Sequence, residues 1–176
     1  MNLTILGGGS WGTALAIHLA KNHHSIKIWE FVAEQAREMQ QLRTCRLLAG
    51  SHIPEKVFVT SEIKQALTNA DLIFIVVPSD KVESTLDKAK EFINNQPIII
   101  CSKGFASDGR LLSEVVRENC SGEIYGLYGP THAEEICRGV FSGIVLAGGA
   151  GKDKIKREIE HENLRVDLSD DLIGVQ

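Results

Sequence analysis

Short apolar runs recur along this chain, separated by longer stretches in which apolar residues return at helical spacing. The first run, Leu3-Thr4-Ile5-Leu6, meets Gly7-Gly8-Gly9-Ser10-Trp11-Gly12 and then a helical stretch from Thr13 to Ala20. A second strand, Ser25-Ile26-Lys27-Ile28-Trp29, precedes a helix over 33–43 and a polar, irregular passage through Gly50, Ser51 and Pro54. Val57-Phe58-Val59 predicts a third strand, leading into a helix that ends at Leu67, with Thr60 or Ser61 placed to cap it. The run Leu72 to Val77 is apolar throughout, as a central parallel strand needs when both its faces are buried. Pro78 ends it, and Ser79 or Asp80 is placed to cap a helix running towards Asn94. Further strands are predicted at 97–101, 124–128 and 142–146, with a helix over 111–119 and another starting at Glu134 and Glu135 beyond a proline turn.

Strands alternating with helices define an α/β chain, a doubly wound, mainly parallel sheet with helices on both faces. At 176 residues it can bury one good core, or one domain and the beginning of a second. The net charge of −4 gives no attraction to nucleic acid or to an anionic membrane. No signal-peptide pattern opens the chain, no apolar stretch is long enough to span a bilayer, and the four cysteines lack metal-type spacing. The expected compartment is the cytoplasm, with no nucleic-acid partner, no membrane insertion and no metal.

Strand, glycine turn and helix in immediate succession form a dinucleotide-binding pattern. Gly7 permits the tight turn, Gly9 lets backbone approach a pyrophosphate, and Gly12 lets the helix lie close to the strand, so that free N–H groups face the phosphates. Glu30, at the tip of the second strand, can accept hydrogen bonds from ribose hydroxyls and repel an added phosphate, which favours NAD over NADP. Arg37 is a near neighbour able to rescue NADP. Ligands of open parallel sheets gather beyond the strands' carboxyl ends, which singles out Val77-Pro78-Ser79, Cys101-Ser102-Lys103-Gly104 and the segment from Gly126 to Glu135. A lysine directly after a buried strand can polarise a carbonyl or bind phosphate, and Lys103 is that lysine.

Together, the glycine block through Ala16, the strand closing on Val77-Pro78-Ser79, Ser102-Lys103-Gly104 and Gly129-Pro130-Thr131-His132-Ala133-Glu134-Glu135 resemble the amino-terminal domain of the glycerol-3-phosphate dehydrogenase family. That family interconverts dihydroxyacetone phosphate and sn-glycerol 3-phosphate, a small-molecule phosphate substrate. Ketopantoate reductases share the glycine turn but are not expected to carry the other blocks. The resemblance implies cofactor contacts at Gly7, Gly9, Ser10, Trp11, Gly12, Glu30, Phe31, Pro78, Lys103 and Ala133. It places Lys103 between cofactor and substrate and implies substrate contacts at Lys103, Gly129 and Thr131.

Other residues carry plainer readings. His132 is expected to be a packing or hydrogen-bonding histidine, and His23 and His24 to sit at a helix end where positive charge suits the dipole. Cys101 reads as a small core residue. Where relatives show a Leu-Pro-Gly turn, this chain has Leu48-Ala49-Gly50. Residues 1–168 read as the dinucleotide-binding domain, and 169–176 resemble the opening of a helical carboxy-terminal domain whose remainder, with its proton-accepting lysine and phosphate-gripping Arg-Asn pair, is missing. The expected partners are that missing domain, or a second copy meeting the exposed apolar docking face. A different reading is a stand-alone dinucleotide-binding module without catalysis.

Overall fold

A computed structural model describes residues 1–22 and 24–176, so the reading of His23 lies outside the described residues. The elements in chain order are β1 (Asn2–Leu6), α1 (Ser10–Ala20), β2 (Ser25–Trp29), α2 (Ala33–Leu42), β3 (Val57–Thr60), α3 (Ile63–Leu67), β4 (Leu72–Ile75), α4 (Val82–Ala89) and β5 (Ile98–Ile100). They continue with α5 (Leu112–Asn119), β6 (Ile124–Tyr128), α6 (Ala133–Arg138), β7 (Ser142–Gly148), α7 (Lys152–Ile159), β8 (Leu164–Ser169) and α8 (Leu172–Val175). The eight strands form one sheet in the order β3-β2-β1-β4-β5-β6-β7-β8. All neighbours are parallel except β6 and β7. This is the expected doubly wound fold.

The central strands place alternate residues in two cores, as the two-residue pleat requires. Leu3, Ile5, Leu72, Phe74 and Ile99 meet Leu15 and Leu19 of α1, Ile136 of α6 and Ile155 and Ile159 of α7 on one face. Leu6, Ile73, Ile75, Ile98 and Ile100 meet Leu67 of α3, Val82 and Leu86 of α4, and Val115 and Val116 of α5 on the other. Burying both faces explains the unbroken apolar runs. Leu172 and Val175 of α8 pack against this second core, and the Gln176 side chain bonds Ser113 on α5. The sheet's outer edge at β3 is occupied by side chains, since Arg43 Nη1 donates to the Val57 carbonyl and the Val59 N–H donates to Gln40 Oε1.

Several local expectations need correction. Neither Thr60 nor Ser61 caps α3; the Thr60 hydroxyl oxygen accepts from the Glu62 N–H and closes a turn before the helix. Ser79 and Asp80 do not cap α4 with their side chains; a 3-10 turn over Ser79–Lys81 intervenes, and Asp80 pairs with Lys81 at 2.8 Å. The fourth strand ends at Ile75, so Val76 and Val77 leave the sheet half-buried. His24 does not sit at the end of its own helix: α1 stops at Ala20, and the buried His24 ring lies against the end of α7, with Nε2 3.0 Å from the Glu158 carbonyl and 3.4 Å from its carboxylate. His18 and Asn22 likewise donate to carbonyls at the end of α7, Ile159 for His18 and Glu158 and Glu160 for Asn22. These side chains satisfy acceptors that a helix end leaves open.

Candidate dinucleotide and substrate cleft

Sheet order reverses between β1 and β4, and the crevice at their carboxyl ends is where such folds bind ligands. The glycine turn stands there. Gly7 has φ +127°, and a Cβ on it would meet the Val76 carbonyl oxygen at 2.6 Å. A Cβ on Gly12 would strike the Gly7 carbonyl oxygen, so this glycine lets α1 start hard against the turn. A Cβ on Gly9 meets nothing within 4 Å, because that position faces the open crevice. The first helical backbone bond runs from the Thr13 N–H to the Gly9 carbonyl at 2.9 Å. Earlier N–H groups of α1 therefore lie ahead of the helical ladder, at its positive end.

The crevice has two lobes that meet at Gly9, Leu47, Val76, Val77 and Pro78. One, of about 400 Å³, is walled by the glycine turn, by Trp29, Glu30 and Phe31 at the end of β2, by Lys81 just before α4, and by Ser84, Thr85 and Lys88 along α4. Glu30 is held there by the Val32 N–H, which donates to its Oε1 at 3.0 Å, while a Cβ on Gly8 would come within 2.6 Å of its Oε2. The carboxylate thus lies directly over the turn. Phe31 is exposed, with its ring edge-to-face on Trp29 at 6.1 Å between centroids.

The second lobe, of about 430 Å³, gathers Gly9, Ser10, Trp11, Pro78, Lys103, Gly129, Thr131 and Ala133. Nearly all the expected cofactor and substrate residues thus line one lobe or the other. Gly12 is the exception, lying beneath the turn without lining either lobe. Lys103 is exposed, with Nζ 3.4 Å from the Gly129 carbonyl, so two of the expected junctions touch through it. Thr131 is buried and its hydroxyl donates to the Gly143 carbonyl at 2.9 Å, which fixes its place in the wall. The floor includes Cys101, whose thiol burial pushes far up despite the Trp11 indole N–H donated to it. Such a thiol is a packing group and not a nucleophile.

Of the two plain readings of His132, the packing one is corrected by the same geometry, for the residue is exposed on the cleft wall at the start of α6 and does not pack in the core. Sequence reasoning missed Leu47, Lys81, Ser84, Thr85 and Lys88. Leu47 belongs to an irregular passage without periodicity, and the others sit on a helical face that reads as an ordinary solvated surface. The Lys103 loop is also braced at a distance. Arg110 pairs with Glu83, Asp108 and Glu118, and these carboxylates hold its guanidinium firmly charged.

A glycine cradle at the switch point, with an acidic residue at the tip of the second strand, defines a dinucleotide-binding domain. The chain matches the family described as NAD-dependent glycerol-3-phosphate dehydrogenase N-terminus over residues 2–153, and it belongs to that family. It is 34% identical over 180 residues to a glycerol-3-phosphate dehydrogenase [NAD(P)+] of Thermoanaerobacter sp. (strain X514), covering all of this chain and 54% of that protein. It is 36% identical over 182 residues to one from Nitrosomonas eutropha, covering 55% of it. The crystal structure of the Coxiella burnetii glycerol-3-phosphate dehydrogenase superposes with a TM-score of 0.94 at 30% identity, over 98% of this chain and 55% of that one. The chain thus spans about half the length of the relatives it matches. Among the described residues no helix is long and apolar enough to cross a membrane, and no three His, Cys, Asp or Glu side chains converge as a metal site.

Proposed function

We propose that this chain is the NAD-binding half of a glycerol-3-phosphate dehydrogenase, acting on dihydroxyacetone phosphate and sn-glycerol 3-phosphate. The observation that carries the reading is the continuity of the crevice: the open face of Gly9 is shared by the lobe with Glu30 and the lobe with Lys103. A dinucleotide laid across Gly9 would put its adenosine over Glu30 and Phe31 and its nicotinamide towards Lys103.

Bound NADH supplies the hydride for reduction of the ketone carbon. The turn at Gly9, Ser10 and Trp11 binds the diphosphate through backbone N–H groups and the positive helix end. Glu30 accepts from the ribose hydroxyls, Phe31 carries the adenine, and Pro78 and Ala133 shape the walls. Lys103 holds positive charge where the substrate's oxygen gains electron density, while Gly129 and Thr131 contact the glycerol phosphate. Reduction also requires a proton at that oxygen. We assign its donor, with the principal grip on the phosphate, to a helical carboxy-terminal half equivalent to the part of the relatives that lies beyond this sequence.

In this reading residues 1–168 form the dinucleotide domain and 169–176 lead into the next, with Ser169 closing β8 and α8 resting on the second core. Phe105 and Phe141 support a covering partner, the missing half or a second copy, since both are about two-thirds exposed in loops at the cleft end of the sheet. Four free cysteines, three of them buried, agree with residence in the reducing cytoplasm.

Calorimetric titration of the chain with NADH and with NADPH, followed by addition of dihydroxyacetone phosphate while cofactor absorbance is recorded, tests this. Tighter NADH binding without oxidation is expected. Robust oxidation would show that the second half is dispensable, and no binding of either cofactor would overturn the reading.

A further inference from the structure

The lobe that holds Glu30 has a second charged wall. Lys88, exposed on α4, carries its Nζ 5.2 Å from the centroid of the Phe31 ring. Its one other close contact is a long hydrogen bond to the Ser84 carbonyl at 3.4 Å. Lys81, in the 3-10 turn before α4 and about two turns away, lines the same wall. Glu30 is the carboxylate lining this lobe; Lys81 already has Asp80 as its partner, and among the described residues no carboxylate pairs with Lys88.

An aromatic base stacks on a phenyl ring at about 3.5 Å, the ordinary contact distance between carbon atoms. A base seated on that face of Phe31 therefore displaces the Lys88 ammonium, which then stands on a flexible stem at the rim of the adenosine lobe. Glu30 holds the neighbouring position. A ribose bearing only hydroxyls is held by Glu30 and offers the lysine a neutral hydroxyl acceptor, weaker than a charged one. A ribose bearing a 2′-phosphate brings a group of charge about −1.5 to −2. Glu30 repels it, and a displaced ammonium within a Debye length offsets that repulsion.

Resting on the cleft's assignment to a dinucleotide, we propose that Lys88 is a specificity residue that admits the adenosine 2′-phosphate and so makes the lobe accept NADP(H) as well as NAD(H). Glu30 sets the preference for the unphosphorylated cofactor, and Lys88 limits its extent. The device sits on the helix after the fourth strand and not in the loop after the second, where selectivity is usually read.

Dissociation constants for NADH and NADPH, measured by calorimetry at one fixed ionic strength, test this in the wild type, Lys88→Met and Lys88→Arg. Lys88→Met is expected to weaken NADPH about fivefold to twentyfold while moving NADH less than about twofold, the loss expected for one exposed charge-assisted contact. Lys88→Arg should keep the wild-type ratio within about threefold, because it keeps the charge. An unaltered NADPH to NADH ratio in Lys88→Met, or an equal loss of both, overturns this proposal alone. Failure of the wild type to bind either cofactor overturns the assignment of the cleft and this proposal with it.

Discussion

The hydroxyl of Ser102 donates to the carbonyl oxygen of Val77 at 2.5 Å, joining the two junctions that flank the second lobe. Ser102 is buried, so its removal leaves that carbonyl without this partner. Ser102→Ala is expected to cost about 0.5–1.5 kcal/mol of stability, the usual net worth of a hydrogen bond to a partly buried acceptor. Urea unfolding of the two proteins measures this directly. A change below about 0.3 kcal/mol would show that the bond does not hold the junctions together.

Glycines at the turn separate folding from binding. Gly12→Ala places a methyl group against the Gly7 carbonyl and should lower the melting temperature by several degrees, the effect of a packing clash of about 1–3 kcal/mol. Gly9→Ala meets open space and should leave the melting temperature almost unchanged while weakening NADH at least about tenfold, since the methyl stands where the diphosphate must approach. Equal thermal losses in the two variants would contradict this division.

His18 makes stability depend on pH. Burial lowers its pKa below the ordinary histidine value of 6.5, and its Nε2 donates to the Ile159 carbonyl at 2.8 Å. The unfolded chain therefore binds the proton more readily than the folded one, so stability is complete above pH 6.5 and falls as the pH drops below it. His18→Gln keeps a donor without titrating. Urea midpoints compared at about pH 7.5 and pH 5.5 should fall less in that variant. An identical fall in both would move the sensitivity to other groups.

Arg110 restrains the loop that follows Lys103. In that loop the Ala106 N–H bonds the Arg110 carbonyl at 3.0 Å and the Gly109 N–H bonds the Ala106 carbonyl at 2.9 Å. Arg110→Ala removes the links to Glu83 and Glu118 and should speed hydrogen exchange at residues 106 and 109 without altering exchange in β1. Unchanged exchange at both amides would leave the ion pairs as surface decoration.

Thiol chemistry offers a further check. Burial pushes the Cys120 thiol up to about 11 and raises Cys101 further, whereas Cys137 is half-buried with a smaller rise. Timed alkylation of the native protein, read by mass spectrometry, should modify Cys137 before Cys101 and Cys120. Early labelling of Cys101 would mean that the floor of the second lobe opens in solution.

The legible parts of the sequence were those where one local rule decides the outcome. β2 and β6 begin and end where their apolar runs do, and the turn from Gly7 to Gly12 is readable because only glycine fits at its two ends. The hidden parts depend on long-range partners. α7 buries only Ile155 and Ile159 on an otherwise charged helix, and β8 shows just Leu164 and Val166 to the core. The irregular passage brought Leu47 to the waist of the cleft, which no spacing rule encodes. His24 looked like a helix end because the acceptor that claims it, the Glu158 carbonyl, lies 134 residues away.

At β3 the Arg43 guanidinium and the Gln40 amide occupy backbone groups that an outermost strand would otherwise offer to any passing chain. A newcomer strand must first dislodge both side chains. Association through this edge is thereby obstructed, and the sheet is left with β8 as the outermost strand at its other side.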